Sequence, residues 1–237
     1  MANWKMNGSK ATIESYLQQI RPNPSIDLAI ALPFPYLSLH SPIPLASQNV
    51  HWADSGAWTG EVSALMLKDL GIRWSIVGHS ERRMHFGESD AMIGAKVRQC
   101  LSNCGIGVVL CVGETVQSPN EQEALQIVEN QLEAALAELK DFSALNIAYE
   151  PVWAIGSGVI PSAQQITRTL SHIRSVLSKM EKKGKDTVRL LYGGSVNAKN
   201  VQEIAALGEV DGVLVGGAST NAEAFNAIIE AFVCEEH

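Results

Sequence analysis

The chain has 237 residues, 46% hydrophobic and 18% charged, a globular composition with ample material for a core. Its formal net charge of −7 speaks against general nucleic-acid affinity, so an anionic ligand has to be drawn by local positive groups. No apolar run approaches the ~20 residues of a membrane span, and the chain start lacks the layout of a signal peptide.

Short β-rich apolar runs recur along the chain, each followed by a helical pattern. Strands are predicted at Ala2–Lys5, Asp27–Ala31, Leu45–Ser47, Trp74–Val77, Gly107–Val112, Asn146–Tyr149, Arg189–Tyr192 and Gly212–Val215. The clearest amphipathic segments are Asn120–Lys140, with Ile127, Leu132, Leu136 and Leu139 on one face, and Ser162–Lys183, with Ile166, Leu170, Ile173 and Leu177. Near-continuous apolar strands such as Val108–Val112 suit a parallel sheet covered by helices. Eight strand–helix repeats without a linker predict one α/β domain over residues 1–237, a closed (β/α)₈ barrel. Cys100, Cys104, Cys111 and Cys234 form no CxxC pair and have no histidine neighbour. They read as reduced thiols of a cytoplasmic protein, and no zinc is expected.

In such barrels chemistry gathers in the loops at the carboxyl ends of the strands. The first strand ends in Asn3-Trp-Lys5, and the third runs into a loop of about 14 residues, Gln48–Glu61, with Trp52 and Trp58, long enough to want a function or a partner. The fourth gives His79-Ser80-Glu81, the fifth Cys111–Glu114, and the sixth Glu150 followed at once by Pro151. Gly193-Gly194 and Gly216-Gly217 follow the last two strands.

Each of these has a bland reading: a salt-bridged glutamate, a structural histidine, a solvated lysine and tight turns. Together they converge on one rim. The apolar loop after Glu150 (Val152, Trp153, Ile155) would desolvate that carboxylate and make it a stronger base. A helix starting just after His79 would disfavour a proton there and leave a neutral imidazole able to donate to a carbonyl. The paired glycines let backbone N–H groups approach a phosphate, and Lys5 adds positive potential. A positioned base contributes only ~10²–10⁴-fold, so an electrophile and a closed site must supply the remainder. The chemistry expected is proton abstraction beside the carbonyl of a small phosphorylated compound. An aldolase working through a Schiff base on Lys5 is an alternative, as is an inactive barrel serving as a binding protein.

The motifs Asn3–Gly8, Gly78–Arg83, Ala148–Gly156, Tyr192–Val196 and Val215–Ser219 resemble, in order and over almost the whole chain, those of the triosephosphate isomerase family. The resemblance implies interconversion of dihydroxyacetone phosphate and glyceraldehyde 3-phosphate, without metal or organic cofactor. It implies Glu150 as base, His79 as electrophile, Asn3 and Lys5 as substrate-binding pair, and Gly156, Ser195, Gly216 and Gly217 as phosphate contacts. Ser80 and Glu81 match supporting residues. It also implies a homodimer in which the 48–61 loop, through Thr59, Gly60 and Glu61, plugs into a partner. Two departures stand out: a first strand confined to Met1–Lys5, and a lid exit reading Val159-Ile160-Pro161, where the family more often has Lys-Thr-Ala.

Overall fold

The computed structural model describes residues 1–114, 120–154 and 160–233. Eight parallel strands lie side by side in chain order: β1 (Ala2–Asn3), β2 (Ile30–Leu32), β3 (Leu45–Ser47), β4 (Trp74–Val77), β5 (Gly107–Val112), β6 (Leu145–Tyr149), β7 (Arg189–Tyr192) and β8 (Gly212–Val213). The sheet closes on itself, because Ala2 bridges Val215 and Asn3 N–H donates to the Val215 carbonyl at 2.7 Å. The expected barrel is therefore present. Helices α1 (Lys10–Gln19), α2 (Ala64–Asp69), α3 (Ser80–Phe86), α4 (Asp90–Arg98), α5 (Glu121–Leu136), α6 (Ala163–Lys179), α7 (Val201–Ala205) and α8 (Ala222–Val233) surround it.

Strand alternation separates two apolar layers. Small or slender residues (Ala31, Ala46, Ile76, Val109, Cys111, Ala148) fill the barrel interior. The alternate positions (Val77, Val108, Leu110, Ile147, Tyr192) pack outward with Ile93, Leu132, Ile166, Leu170 and Ile228 of the helices. Helix starts are set locally by hydroxyl caps: Ser63 and Ser89 accept from the third residue onward, and Ser162 forms a capping box with Gln165.

Several expectations need correcting at their edges: β8 ends at Val213 rather than Val215, and β6 begins at Leu145 rather than Asn146. β1 stops at Asn3, since Lys5 already has a left-handed φ of 52°. β2 begins at Ile30, not Asp27, because its ladder to β3 opens only where Ile30 N–H meets the Pro44 carbonyl. Of the predicted face, Leu132 and Leu136 of α5 and Leu139 beyond it are buried, but Ile127 is exposed, and Val128, Gln131 and Ala135 complete the inward face.

A buried charge cluster ties the base of the 48–61 loop to α3 and α4. Glu88 accepts from Arg82 Nε at 2.5 Å and from Lys96 Nζ, and Lys96 Nζ also donates to Asn49 Oδ1 at 2.8 Å. Burial pulls the Lys96 pKa down, and Glu88 opposes that pull. Removing one partner of such a pair leaves an uncompensated charge, so Lys96→Met should cost about 3–5 kcal/mol in urea unfolding. A loss below about 1 kcal/mol would mean that the cluster is solvated.

Candidate active site

β6 delivers Glu150 to the rim and Pro151 ends the strand there, since proline has no N–H to continue it. Glu150 is almost wholly buried. Its Oε2 accepts from the Ser80 N–H at 2.9 Å, and its Oε1 lies 3.0 Å from His79 Nε2. The side chain passes over β5, which lies between β6 and β4, and Gly113 just past the end of β5 has no room for a Cβ, which would lie 1.7 Å from the Glu150 carbonyl. Gln131 fixes that glycine by accepting from its N–H at 2.8 Å and donating to its carbonyl at 3.1 Å.

His79 caps α3. Its Nδ1 accepts from the Glu81 backbone N–H at 3.2 Å, so its proton sits on Nε2 and points at Glu150. Burial works against a charged ring, but the Glu150 carboxylate outweighs it, with Glu81 assisting, and raises the His79 pKa. The expected helix start after His79 is present, and the tautomer it imposes is the one that donates through Nε2.

Asn3 and Lys5 reach the same rim from β1. Asn3 Oδ1 accepts from Lys5 N–H at 3.0 Å, and Gln48 Nε2 donates to the Lys5 carbonyl at 2.9 Å, which together hold the left-handed turn. Strain of this kind, about 1–3 kcal/mol, persists where surrounding contacts over-determine it. Lys5 Nζ pairs with Glu81 Oε1 at 2.6 Å; burial raises the Glu81 pKa, but the lysine overrides it and the net shift is downward. Glu81 is thus the lysine's partner; its backbone N–H bonds His79 Nδ1, and its carboxylate lies 3.8 Å from the same nitrogen. A cavity of about 320 Å³ opens over Asn3, Lys5, Gln48, His79, Glu81 and Arg82.

The glycine pairs answer to packing as well as to any ligand. A Cβ on Gly193 would come within 2.9 Å of Glu150 Cγ, and one on Gly194 within 2.2 Å of the Tyr192 hydroxyl. A Cβ on Gly216 would meet Lys5 Cε at 3.3 Å, which puts the turn after β8 beside the lysine. Gly217 opens a short 3₁₀ turn, with the Gly216 carbonyl accepting from Ser219 N–H at 2.8 Å. The Ser195 carbonyl accepts from Asn200 Nδ2 at 2.8 Å. Ile155, Gly156, Val159 and Cys234 lie outside the described residues. Pro161 is buried next to the cap of α6, and Ile160 is half exposed.

Sequence reasoning missed Gln48, Gly113 and Gln131, and left Glu114 without a role. Glu114 is buried; its Oε1 accepts from Trp153 Nε1 at 2.6 Å and from the Tyr149 hydroxyl at 3.0 Å. Burial raises its pKa despite those donors. A glutamine on an apolar helix face was the available signal for Gln131.

A family model described as triosephosphate isomerase matches residues 1–232. The chain is 42% identical to a triosephosphate isomerase of Neurospora crassa over 239 residues, covering 97% of this chain and 96% of that one. It is 42% identical to one of Yarrowia lipolytica, covering 93% of each, and 38% identical to one of Alkaliphilus metalliredigens, covering 96% of each.

His79 should titrate above its ordinary value of 6.5 in nuclear magnetic resonance of the free protein. In Glu150→Gln it should fall below that value, because burial and the Glu81 N–H remain while the carboxylate charge is gone. The raised folded pKa stabilises the fold below pH ~6.5 and loses that contribution as pH rises through the raised value. The stability gap between wild type and Glu150→Gln should accordingly narrow with rising pH. A histidine pKa indifferent to Glu150→Gln refutes the coupling.

Proposed function

The chain belongs to the triosephosphate isomerase family, and on that premise we propose that Glu150 moves the proton between the two carbons of a triose phosphate while His79 polarises the carbonyl. The reaction interconverts dihydroxyacetone phosphate and D-glyceraldehyde 3-phosphate through an enediol(ate). The observation that carries the assignment of roles is the approach of Glu150 to within 3.0 Å of His79 Nε2, beside the cavity that Lys5 and Asn3 line. A glutamate base facing a neutral histidine electrophile is the established pattern of this family, so the pairing itself is no novelty.

In the free protein Glu150 is held away from the cavity by Ser80 N–H and His79 Nε2. To act, its carboxylate leaves both and swings toward the substrate carbon. That departure removes the charge that favours a second proton on His79, so the ring stays a neutral Nε2 donor when a carbonyl takes the place of the carboxylate. Nδ1, occupied by the Glu81 N–H, cannot take a second proton without losing that bond. His79 then passes its Nε2 proton to one substrate oxygen and recovers one from its neighbour. Lys5, kept in line by Glu81, offsets the charge of phosphate and enediolate. A lysine engaged with a carboxylate is poorly placed as a Schiff-base nucleophile, which favours isomerisation over the aldolase alternative. Gly156, Ser195, Gly216 and Gly217 are proposed to hold the phosphate through backbone N–H groups.

The proposed homodimer forms through the 48–61 loop. His51 stacks on Trp52 at 4.1 Å, and Trp58 packs against both, which stiffens the loop while Trp58 stays 48% exposed. Thr59, Gly60 and Glu61 at its tip are exposed, as are Met6 and Phe86 at the cavity, surfaces suited to receive the loop of a second copy. No helix among the described residues is long and apolar enough to cross a membrane; a cytoplasmic location fits the reduced thiols.

Two measurements test these assignments. Glu150→Asp withdraws the carboxylate by about one bond, and a misplacement near 1 Å costs about 10²-fold, so kcat in a coupled assay should fall by at least that much with unchanged folding. Full activity would remove Glu150 as base. Specific activity should fall on dilution as dimers separate, and concentration-independent activity with a monomeric mass would sink the dimer.

A further inference from the structure

Two buried thiols away from the rim take no part in the isomerisation. Cys100 and Cys104 lie in one π-helical turn, Gln99–Cys104, which continues α4 and ends at Gly105 with a φ of 68°. The Gly105 N–H donates to the Cys100 carbonyl five residues back, the bond that defines this wide winding. Such turns are rare and frequent at functional sites. Residues four apart share a helix face, so the turn presents the two sulfurs side by side. Both side chains are buried, yet Ser102, Asn103 and Gly105 around Cys104 are exposed. The pair therefore lies a single turn below solvent.

Three chemistries are open to two neighbouring thiols, and the surroundings separate them. A disulfide needs Cβ atoms about 3.5–4.5 Å apart, whereas helical residues four apart hold theirs about 5–6 Å apart. Joining them directly would unwind the turn. Burial also pushes the Cys100 thiol up to about 12, with Cys104 adding to the rise and Lys96 opposing it, which suppresses attack by a thiolate. A structural zinc wants four ligands, and among the described residues no three histidines, cysteines or carboxylates gather into a metal-holding group. A soft monovalent ion held between two sulfurs needs neither. Cu(I) is the biological ion of that kind.

We propose that Cys100 and Cys104 form a two-sulfur site for Cu(I). The ion enters as both S–H protons leave to solvent, two S–Cu bonds form, and no electron is transferred. The resulting bis-thiolate is singly negative, and its neighbours suit that charge. Gln99 Nε2 donates to Cys104 Sγ at 3.6 Å, an N–H···S bond of the kind that supports a metal-bound thiolate. Burial and Asp54 hold the Cys104 thiol up, while Gln99 and Lys68 draw it down. The Gln99 amide also donates to Asp54 Oδ1, and its oxygen accepts from Asn103 Nδ2 at 2.6 Å. Gln99 thus ties the cysteine turn to the 48–61 loop, and an ion that fixes the two sulfurs fixes that tie.

The test loads the reduced full chain with Cu(I) under anaerobic conditions, in competition with the chromogenic chelator bathocuproine disulfonate. One equivalent withheld from the chelator is expected, with a raised Tm and an X-ray absorption spectrum showing two sulfur neighbours. Loss of a supporting partner costs about 10–100-fold in metal affinity, so loss of a ligand should cost about a hundredfold or more. Cys100→Ser and Cys104→Ala should each show that loss while isomerase turnover stays unchanged and confirms folding, and Cys234→Ser should keep the ion. Retention unaltered in both ligand variants, or none by the wild type, overturns the proposal. Nitrogen or oxygen neighbours in place of the two sulfurs overturn it without any variant. A Cys100–Cys104 disulfide formed by stoichiometric diamide, with no Cu(I) retained by the reduced chain, would make the pair a redox couple and overturn it as well.

Discussion

The carboxylate of Glu150, held between a backbone N–H of Ser80 and Nε2 of His79, is the contact on which the rest of the rim depends. A charged group this deeply buried is tolerable only if its lone pairs are satisfied. The protein satisfies them with the first turn of α3, whose free N–H groups and dipole favour an anion. One helix start therefore serves two residues. It stabilises the resting glutamate through Ser80 and fixes the tautomer of His79 through Glu81. The proposed base and the proposed electrophile are thereby set against each other in the free protein.

That arrangement constrains glycine on both sides. Gly113 and Gly193, from β5 and the turn after β7, abut the main chain and Cγ of Glu150, and a Cβ at either would displace it. Gly193 is also tied to β6 by its N–H donating to the Tyr149 carbonyl at 2.8 Å. Gly193 is thus required by the glutamate, and Gly194 by the Tyr192 hydroxyl, before any phosphate arrives. Behind these, Cys111 lies in the barrel interior, where burial pushes its thiol well above its ordinary range, with the Glu150 charge adding to the rise. A neutral thiol there adds no competing charge under the base.

Strand order and rim chemistry were legible in the sequence because both are local. Val108–Val112 announces a buried parallel strand by its own composition, and Pro151 announces where β6 stops. β3, β4, β5 and β7 have the predicted bounds for that reason. What was not legible depends on distant partners. β2 starts where Pro44 offers a carbonyl, which no property of Asp27–Ala29 reveals. On α5 the leucines Leu132 and Leu136 were legible, but Gln131 was not, being a polar residue on an inward position to hold Gly113. Glu81 could cap a helix or pair with a lysine, and only the fold, by bringing Lys5 alongside, decided for the lysine.

The same locality connects Glu150 to the loop that follows it. Two residues after the base, Val152 N–H donates to the Glu114 carbonyl at 3.1 Å, and Trp153 donates its indole N–H to the Glu114 side chain. Tyr149, one residue before the base, donates to the same carboxylate oxygen. Glu114 thus grips the chain on both sides of Glu150, and among the described residues its other oxygen has no partner. A carboxylate left half satisfied in a buried position is a weaker holder than a fully bonded one, because its desolvation is only partly offset. The proposed swing of Glu150 toward substrate would pull on the segment between Tyr149 and Trp153, and so act directly on those two bonds. At the far end Pro161 is buried against the capping box of α6, which fixes the exit of the lid. At the near end the residues on both sides of Glu150 are tied to one residue just past the end of β5, so any displacement of the Glu150 backbone is felt by Glu114 first.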